Sequence, residues 1–459
     1  MGTVSRTVAE WTTGLTFDDL PREVVDCAKK FLFDSVGCAF GGCQTDDVAI
    51  ATAVVEECGG NPMATLIGSG KKVSAIDASF LNSLMIRALD FNDIYWKQDP
   101  SHPSDIMPAA MAAGEMRERN GKDLILGIVI GHEIEMRLCE AAFPGIREVG
   151  WHHATLTAFA SPFVAARMLG LTVDETVNAI GISASHSGSF GAVTAGKLTK
   201  MKNTVDPMAC RSGVEGAMLA ARGYEGPEPI FEGREGLGHC ISERWDWNIV
   251  TDGLGDSWRI LNCSMKGAPV EALIHTPLTV TLSMRDAHGV RPDNLEEIRI
   301  KTIARAAEIL SDPSKYDPRT KETADHSLPY CIAVAIADGM VTTKQFKSER
   351  ILDPALRPLL QKIVVEVEPE FEAMFPRLQP CEVTIRLTDG REFTDRMDFP
   401  MGDPRNPMTE KQMNDKFDAL SAAVLSPEMN ARAKAAIDDV EAAPTITELM
   451  ECFVADQGR

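Results

Sequence analysis

Apolar residues recur at helical spacing over Val24–Phe40, Pro103–Arg119, Lys122–Phe143 and Thr155–Leu169, and each stretch ends near a glycine. That pattern predicts four helices. Within the third, Leu124–Ile130 is apolar nearly all round, as expected of a helix packed between others. Met208–Arg222, rich in alanine and followed by Gly223, predicts another helix. The pattern changes after about Cys263. Glu297–Ile303 alternates charged and apolar residues, and Lys362–Val367 does the same, so both predict half-buried strands. Cys381–Leu387 and Glu392–Met397 flank Asp389-Gly390, the dipeptide of a tight hairpin. Ser327–Asp338 reads as a helix among these strands, and Thr409–Met450 returns to helical composition. The expected fold is mainly α with an α+β insertion. A split helical domain, residues 1–267 and 403–459, would enclose an α/β module at 268–402.

The chain has 459 residues, of which 44% are hydrophobic and 25% charged, the composition of a packed soluble protein with room for two domains. A formal net charge of -21 argues against nucleic acid as a partner and requires any pocket for an anion to be locally basic. The first residues lack an apolar core flanked by basic ones, and the longest apolar runs are too short to cross a bilayer, so neither secretion nor a membrane is expected. Eleven cysteines at irregular spacing, without a C-x-x-C pair, fit reduced thiols in the cytoplasm. Most read as small buried residues, and their spacing gives no metal-binding cluster. Gly233–Gly238 has glycines in a GxxGxG order, but no strand-like run precedes it, so it reads as a turn.

Several polar clusters could carry chemistry, each with a structural alternative. Asp90 and Asp93 lie with aromatic residues just ahead of His102-Pro103-Ser104-Asp105, in a loop between helices where reactive groups gather or where acids simply cap. His152-His153 precedes an apolar helix, whose N-terminus favours an anion, although packing explains such a pair as well. Lys197, Lys200 and Lys202 form the most evident basic segment, either a solvated face or a carboxylate partner. Asp325-His326-Ser327 and Tyr330 open the Ser327–Asp338 helix, where Asp325 or Ser327 could serve only as caps, and His275 sits among apolar neighbours like a core histidine.

Together these segments resemble the MmgE/PrpD family of 2-methylcitrate dehydratases, cis-aconitate decarboxylases and iminodisuccinate epimerases. The resemblance runs through Lys29–Gly42, LDFND…HPSD at Leu89–Asp105, Gly150-Trp151-His152, ASHSGS at Ala184–Ser189, the lysine segment ending at Lys202, ETADHSLPYCIAVAIADG at Glu322–Gly339 and GDPRNPM at Gly402–Met408. It implies a large all-helical domain with a smaller α/β lid, an active site between them, a homodimer, and no metal or organic cofactor. It carries catalytic positions onto Asp90, His102, His152 and Lys202. Two decarboxylase positions depart: a threonine of the pattern meets Ile94, and a histidine in the segment after Lys266 meets Glu271, with His275 four residues on. His326 and Tyr330, within wording closer to the dehydratases, join Lys266, Glu271 and His275 as weaker candidates for substrate binding. The implied activity is a cofactor-independent lyase for a small anionic carboxylate, with dehydration of 2-methylcitrate or a similar hydroxy acid preferred. Decarboxylation of cis-aconitate and epimerisation use similar groups, and a non-catalytic carboxylate binder is the reading from another class.

Overall fold

The computed structural model describes residues 2–195 and 198–455, whose contacts divide into two compact units. The first takes the described residues through 195, Lys200–Cys263 and those from Glu410 on; the second takes Leu198, Thr199 and Ser264–Thr409.

Helices build the first unit: α1 (Arg22–Gly42), α2 (Ala75–Arg87), α3 (Met107–Glu115), α4 (Gly121–Ala141), α5 (Ala154–Leu169), α6 (Val173–Ala184) and α7 (Val205–Ala220). α5 and α7 pack along each other, with α4 and α6 also against this pair and α2 against α7. All residues of α5 except Arg167 are buried, as are Leu124–Arg137 of α4, which explains why neither shows a polar face. Asn120 and Asp123 form a reciprocal cap at the start of α4. The predicted helix over Pro103–Arg119 is instead a 3-10 turn, Pro103–Ile106, followed by the shorter α3. Pro108 has no N–H to give to a preceding turn, so the α-helix can begin only around it. The chain bends again at Glu118, which has φ +50°.

In the second unit, α8 (His275–His288) and α9 (Leu328–Asp338) pack together beside a four-stranded sheet. Its strands are β1 (Leu295–Thr302), β2 (Ile363–Val367), β3 (Cys381–Leu387) and β4 (Glu392–Met397), in the order β4-β3-β1-β2. β1 pairs parallel to β2 and antiparallel to β3. Ile298, Ile300, Val383 and Ile385 point to the buried face, and the residues between them are more exposed, the period of two that the sequence displays. The β3–β4 hairpin turns through Gly390, whose φ of +87° suits a residue without a Cβ. After this unit the chain returns to α10 (Glu410–Ser421), which packs on α1. No described helix is long and apolar enough to cross a membrane.

Candidate active site

Four separate segments of the first unit bring their charged side chains to one buried place. α2 ends at Arg87, and Asp90 follows three residues later with φ +52°, a left-handed conformation that aspartate tolerates better than most residues. This backbone turns the Asp90 carboxylate back onto the helix end, where Arg87 Nη1 donates to Oδ1. Lys202, from the 3-10 turn Lys200–Asn203 ahead of α7, places Nζ 2.8 Å from the other oxygen, Oδ2. Arg87 is also a node: its Nε lies 3.5 Å from Asp105 Oδ2 and 3.9 Å from Asp206 Oδ2. All five groups are buried. Burial pushes the Asp105 carboxyl well above the usual carboxylate range, although Arg87 opposes it. Burial would raise Asp206 too, but the fields of His153, His152 and Arg87 hold it below its ordinary range.

Three histidines stand beside this network, and hydrogen bonds fix the proton positions of two. His102 Nδ1 lies 2.6 Å from the Asp93 carbonyl, which can only accept, so Nδ1 carries the proton. In the neutral ring the lone pair is therefore on Nε2. Asp93 is itself anchored, accepting from the Ser104 N–H at 3.0 Å and the Ser104 hydroxyl at 2.5 Å, so the loop presenting His102 is fixed. His152 shows the opposite tautomer. Its Nδ1 accepts the Ala154 N–H at 3.2 Å, which leaves the proton on Nε2. Burial, then the neighbouring His153, holds the His152 imidazole well below its ordinary titration range, so it is neutral at physiological pH. The backbone N–H of His152 donates to the Ser189 carbonyl at 2.8 Å. His153 Nε2 lies 3.3 Å from Asp206 Oδ1, and its ring centroid is 3.9 Å from that of His152 and 5.4 Å from that of His102.

Glu135 of α4 completes the cluster by accepting the Thr157 hydroxyl at 2.5 Å, and Thr157 Oγ1 is also 3.4 Å from Asp206 Oδ1. Burial raises the Glu135 carboxyl to about 8 against the hydrogen bonds that oppose it. Among the described residues, two groups hold donor atoms of the kinds that bind cations: Asp93, His132 and Cys263, and His152, His153 and Asp206. In each, a histidine nitrogen lies 3.4 or 3.3 Å from a carboxylate oxygen.

Of the positions read from the sequence, Asp90 and Lys202 form one ion pair, with His102 and His152 both packed around His153. Lys266, Glu271, His275, His326 and Tyr330 belong to the second unit. There the Glu271 N–H donates to the Asp325 carbonyl at 3.0 Å, and its carboxylate accepts from the Leu273 N–H at 2.7 Å. His326 Nδ1 donates to Asp325 Oδ1 at 2.7 Å, and Lys321 reaches Oδ2 at 2.9 Å. Lys266 and His275 are buried, with His275 Nε2 3.3 Å from the Val270 carbonyl. Tyr330 is fully buried and donates its hydroxyl to the Gln345 carbonyl, a bond that ties α9 to the following turn.

Sequence reasoning missed Arg87, Glu135 and Asp206 as members of the site, and placed Asp105 and His153 in candidate clusters without choosing them as site residues. A signal existed for two of them. Arg87 lies within the largely apolar run FLNSLMIRALDF, and Glu135 lies in the helix whose Leu124–Ile130 stretch reads as apolar nearly all round. Charges in such runs are either paired or functional. Asp105 and Asp206 look like ordinary caps, and only contact reveals what they face.

Residues 6–250 match the MmgE/PrpD N-terminal domain and residues 268–442 the MmgE/PrpD C-terminal domain. The chain is 26% identical to a cis-aconitate decarboxylase of Aspergillus terreus, over 92% of this chain and 90% of that protein. It is also 26% identical to the cis-aconitate decarboxylase of Homo sapiens, over 90% and 86%. With the 2-methylcitrate dehydratase of Salmonella typhi the identity is 25%, over 85% and 84%.

Proposed function

Since the chain belongs to the MmgE/PrpD family, and the relatives above are named for decarboxylation and dehydration, both lyase reactions, we propose that it is a lyase acting beside a carboxylate. Within that class we assign it the dehydration of 2-methylcitrate or a similar hydroxy polycarboxylate. The observation that carries this reading is the opposite tautomers of His102 and His152 beside the Asp90–Lys202 pair.

A proton beside a carboxylate is weakly acidic, and its removal leaves a dianionic enediolate. His102 supplies the base, because its Nε2 holds the lone pair while Asp93 orients the ring through Nδ1. His152 supplies a neutral Nε2–H donor to the developing negative charge, a role for which a depressed imidazole suits better than a cation that would surrender its proton. Lys202 contributes a fixed positive charge, and Asp90, gripped also by Arg87, keeps that ammonium in place. The electron pair of the broken C–H bond forms the alkene and expels hydroxide.

A second reading, cis-aconitate decarboxylation, is favoured by the longer match of the decarboxylases along this chain. Ile94, where the decarboxylase pattern has threonine, weighs against it. Incubating chelator-treated protein with 2-methylcitrate, citrate, cis-aconitate and iminodisuccinate, with products resolved by chiral chromatography, separates the readings. Loss of water from 2-methylcitrate is expected. Carbon dioxide release from cis-aconitate, or inversion of iminodisuccinate without loss of either, would replace the dehydratase assignment.

A further inference from the structure

We propose that His153, held by the buried carboxylate of Asp206, is a third catalytic imidazole, the acid that protonates the departing hydroxide. The inference rests on the dehydratase reading and adds to it a residue that the sequence resemblance does not mark.

The chemistry leaves this place open. His152 presents a neutral Nε2–H, and giving up that proton would create an imidazolate, so it can stabilise charge but is a poor acid. His102 is occupied with the proton it has taken. A second proton carrier must be a ring whose cation is stabilised where it stands. His153 meets that condition: Asp206 Oδ1 lies 3.3 Å from its Nε2, accepts from the Thr157 hydroxyl at 3.4 Å, and belongs to a carboxylate whose other oxygen is 3.9 Å from Arg87. Further charged or titratable groups face the pair: Glu135 from α4, Asp105 and His102 from the segment ahead of α3, Asp99 before them, and His152 alongside. With Nε2 on the Asp206 side of the ring, 3.3 Å from Oδ1, the proton available for transfer is the one on Nδ1.

The step balances. His102 Nε2 takes the C–H proton, and the C–H electron pair becomes the second bond of the alkene. The C–O bond breaks with its pair on oxygen, and the Nδ1 proton of His153 completes a water molecule. His153 ends neutral and His102 ends protonated, and exchange with solvent resets both. The His102 and His153 rings stand 5.4 Å apart, so the base and the acid of this scheme are neighbours.

The competing role is a structural ion pair fastening the start of α5 to α7. His153→Gln distinguishes them, because the glutamine amide can still donate to Asp206 but cannot carry a proton. In the full chain with 2-methylcitrate, solvent deuterium exchange at the C–H position is followed by NMR alongside alkene formation. His153→Gln is expected to lower elimination by ~100-fold or more while exchange stays near wild type. Asp206→Asn is expected to move the alkaline limb of kcat down by about one pH unit, since the imidazolium loses its carboxylate. Wild-type elimination in His153→Gln, or parallel loss of exchange and elimination, would overturn the proposal. If the wild-type protein neither exchanges nor dehydrates 2-methylcitrate, the dehydratase reading fails. The dyad is then judged by titrating carbon-labelled histidines: a fall of about one pH unit for His153 in Asp206→Asn supports it, and an unmoved His153 overturns it.

Discussion

Replacing Arg87 by methionine keeps most of the side-chain volume and removes one buried charge that faces Asp90, Asp105 and Asp206. Removing one partner of a buried ion pair costs ~3–5 kcal/mol, because the remaining charge stays desolvated. Here Lys202 remains on Asp90 and His153 on Asp206, so the loss belongs at the lower end, about 3 kcal/mol. The sign of its pH dependence follows from the same geometry. Without Arg87 the folded-state pKa of Asp105, which burial already holds above its unfolded value, rises further. The folded variant then binds more protons than the unfolded one between those values, so its deficit grows as pH rises through that window and shrinks toward pH ~4. Urea denaturation followed by tryptophan fluorescence at mildly acidic and mildly alkaline pH measures both the size and the trend. Adding Asp105→Asn removes the acid that Arg87 faced at 3.5 Å and should recover ~1 kcal/mol of the loss. A loss below ~1 kcal/mol that is the same at both pH values would refute the reasoning, because it would mean that solvent already compensates these carboxylates.

Other outcomes follow from the same site. His102→Ala and His152→Ala should each lower steady-state turnover of 2-methylcitrate by ~100–10,000-fold, and undiminished turnover in both would end the proton-transfer assignment. Glu135 has a folded-state pKa of about 8 through burial, above its unfolded value, so it lowers stability as pH rises from about 4 to 8. Glu135→Gln should therefore shift the urea midpoint upward above pH 8 and leave it nearly unchanged below pH ~4, whereas equal shifts at both would contradict the buried, protonated state. Turnover should survive exhaustive treatment with EDTA, and activity restored only by an added divalent cation would show that one of the histidine–carboxylate clusters holds a required metal.

Much of the fold was legible because local periodicity reports local burial. The all-round apolar run in Leu124–Ile130 reappears as a buried stretch of α4, and the alternation of EIRIKTI reappears as the two faces of β1. Asp389-Gly390 marked the β3–β4 turn because only a few residues accept a positive φ there. The reading of Pro103–Arg119 as one helix failed for a local reason that spacing ignores: Pro108 interrupts the hydrogen-bond ladder whatever its neighbours' hydropathy. Lys202 was equally ambiguous, since Lys197, Lys200 and Lys202 look the same on a solvated face and at a buried ion pair.

By itself the sequence determined the helical character, the change to strands after Cys263 and the family, because these depend on residue types and their order. Only the tertiary structure decided what the chemistry-bearing groups face. Asp90 and Lys202 are remote in the chain yet meet at 2.8 Å, and Arg87 gathers acids from three segments. The proton positions of His102 and His152 are set by one carbonyl and one backbone N–H, which composition cannot encode. Spacing along a chain limits which residues share a helix face, but acidity depends on distance, orientation and burial, and those exist only once the segments have packed.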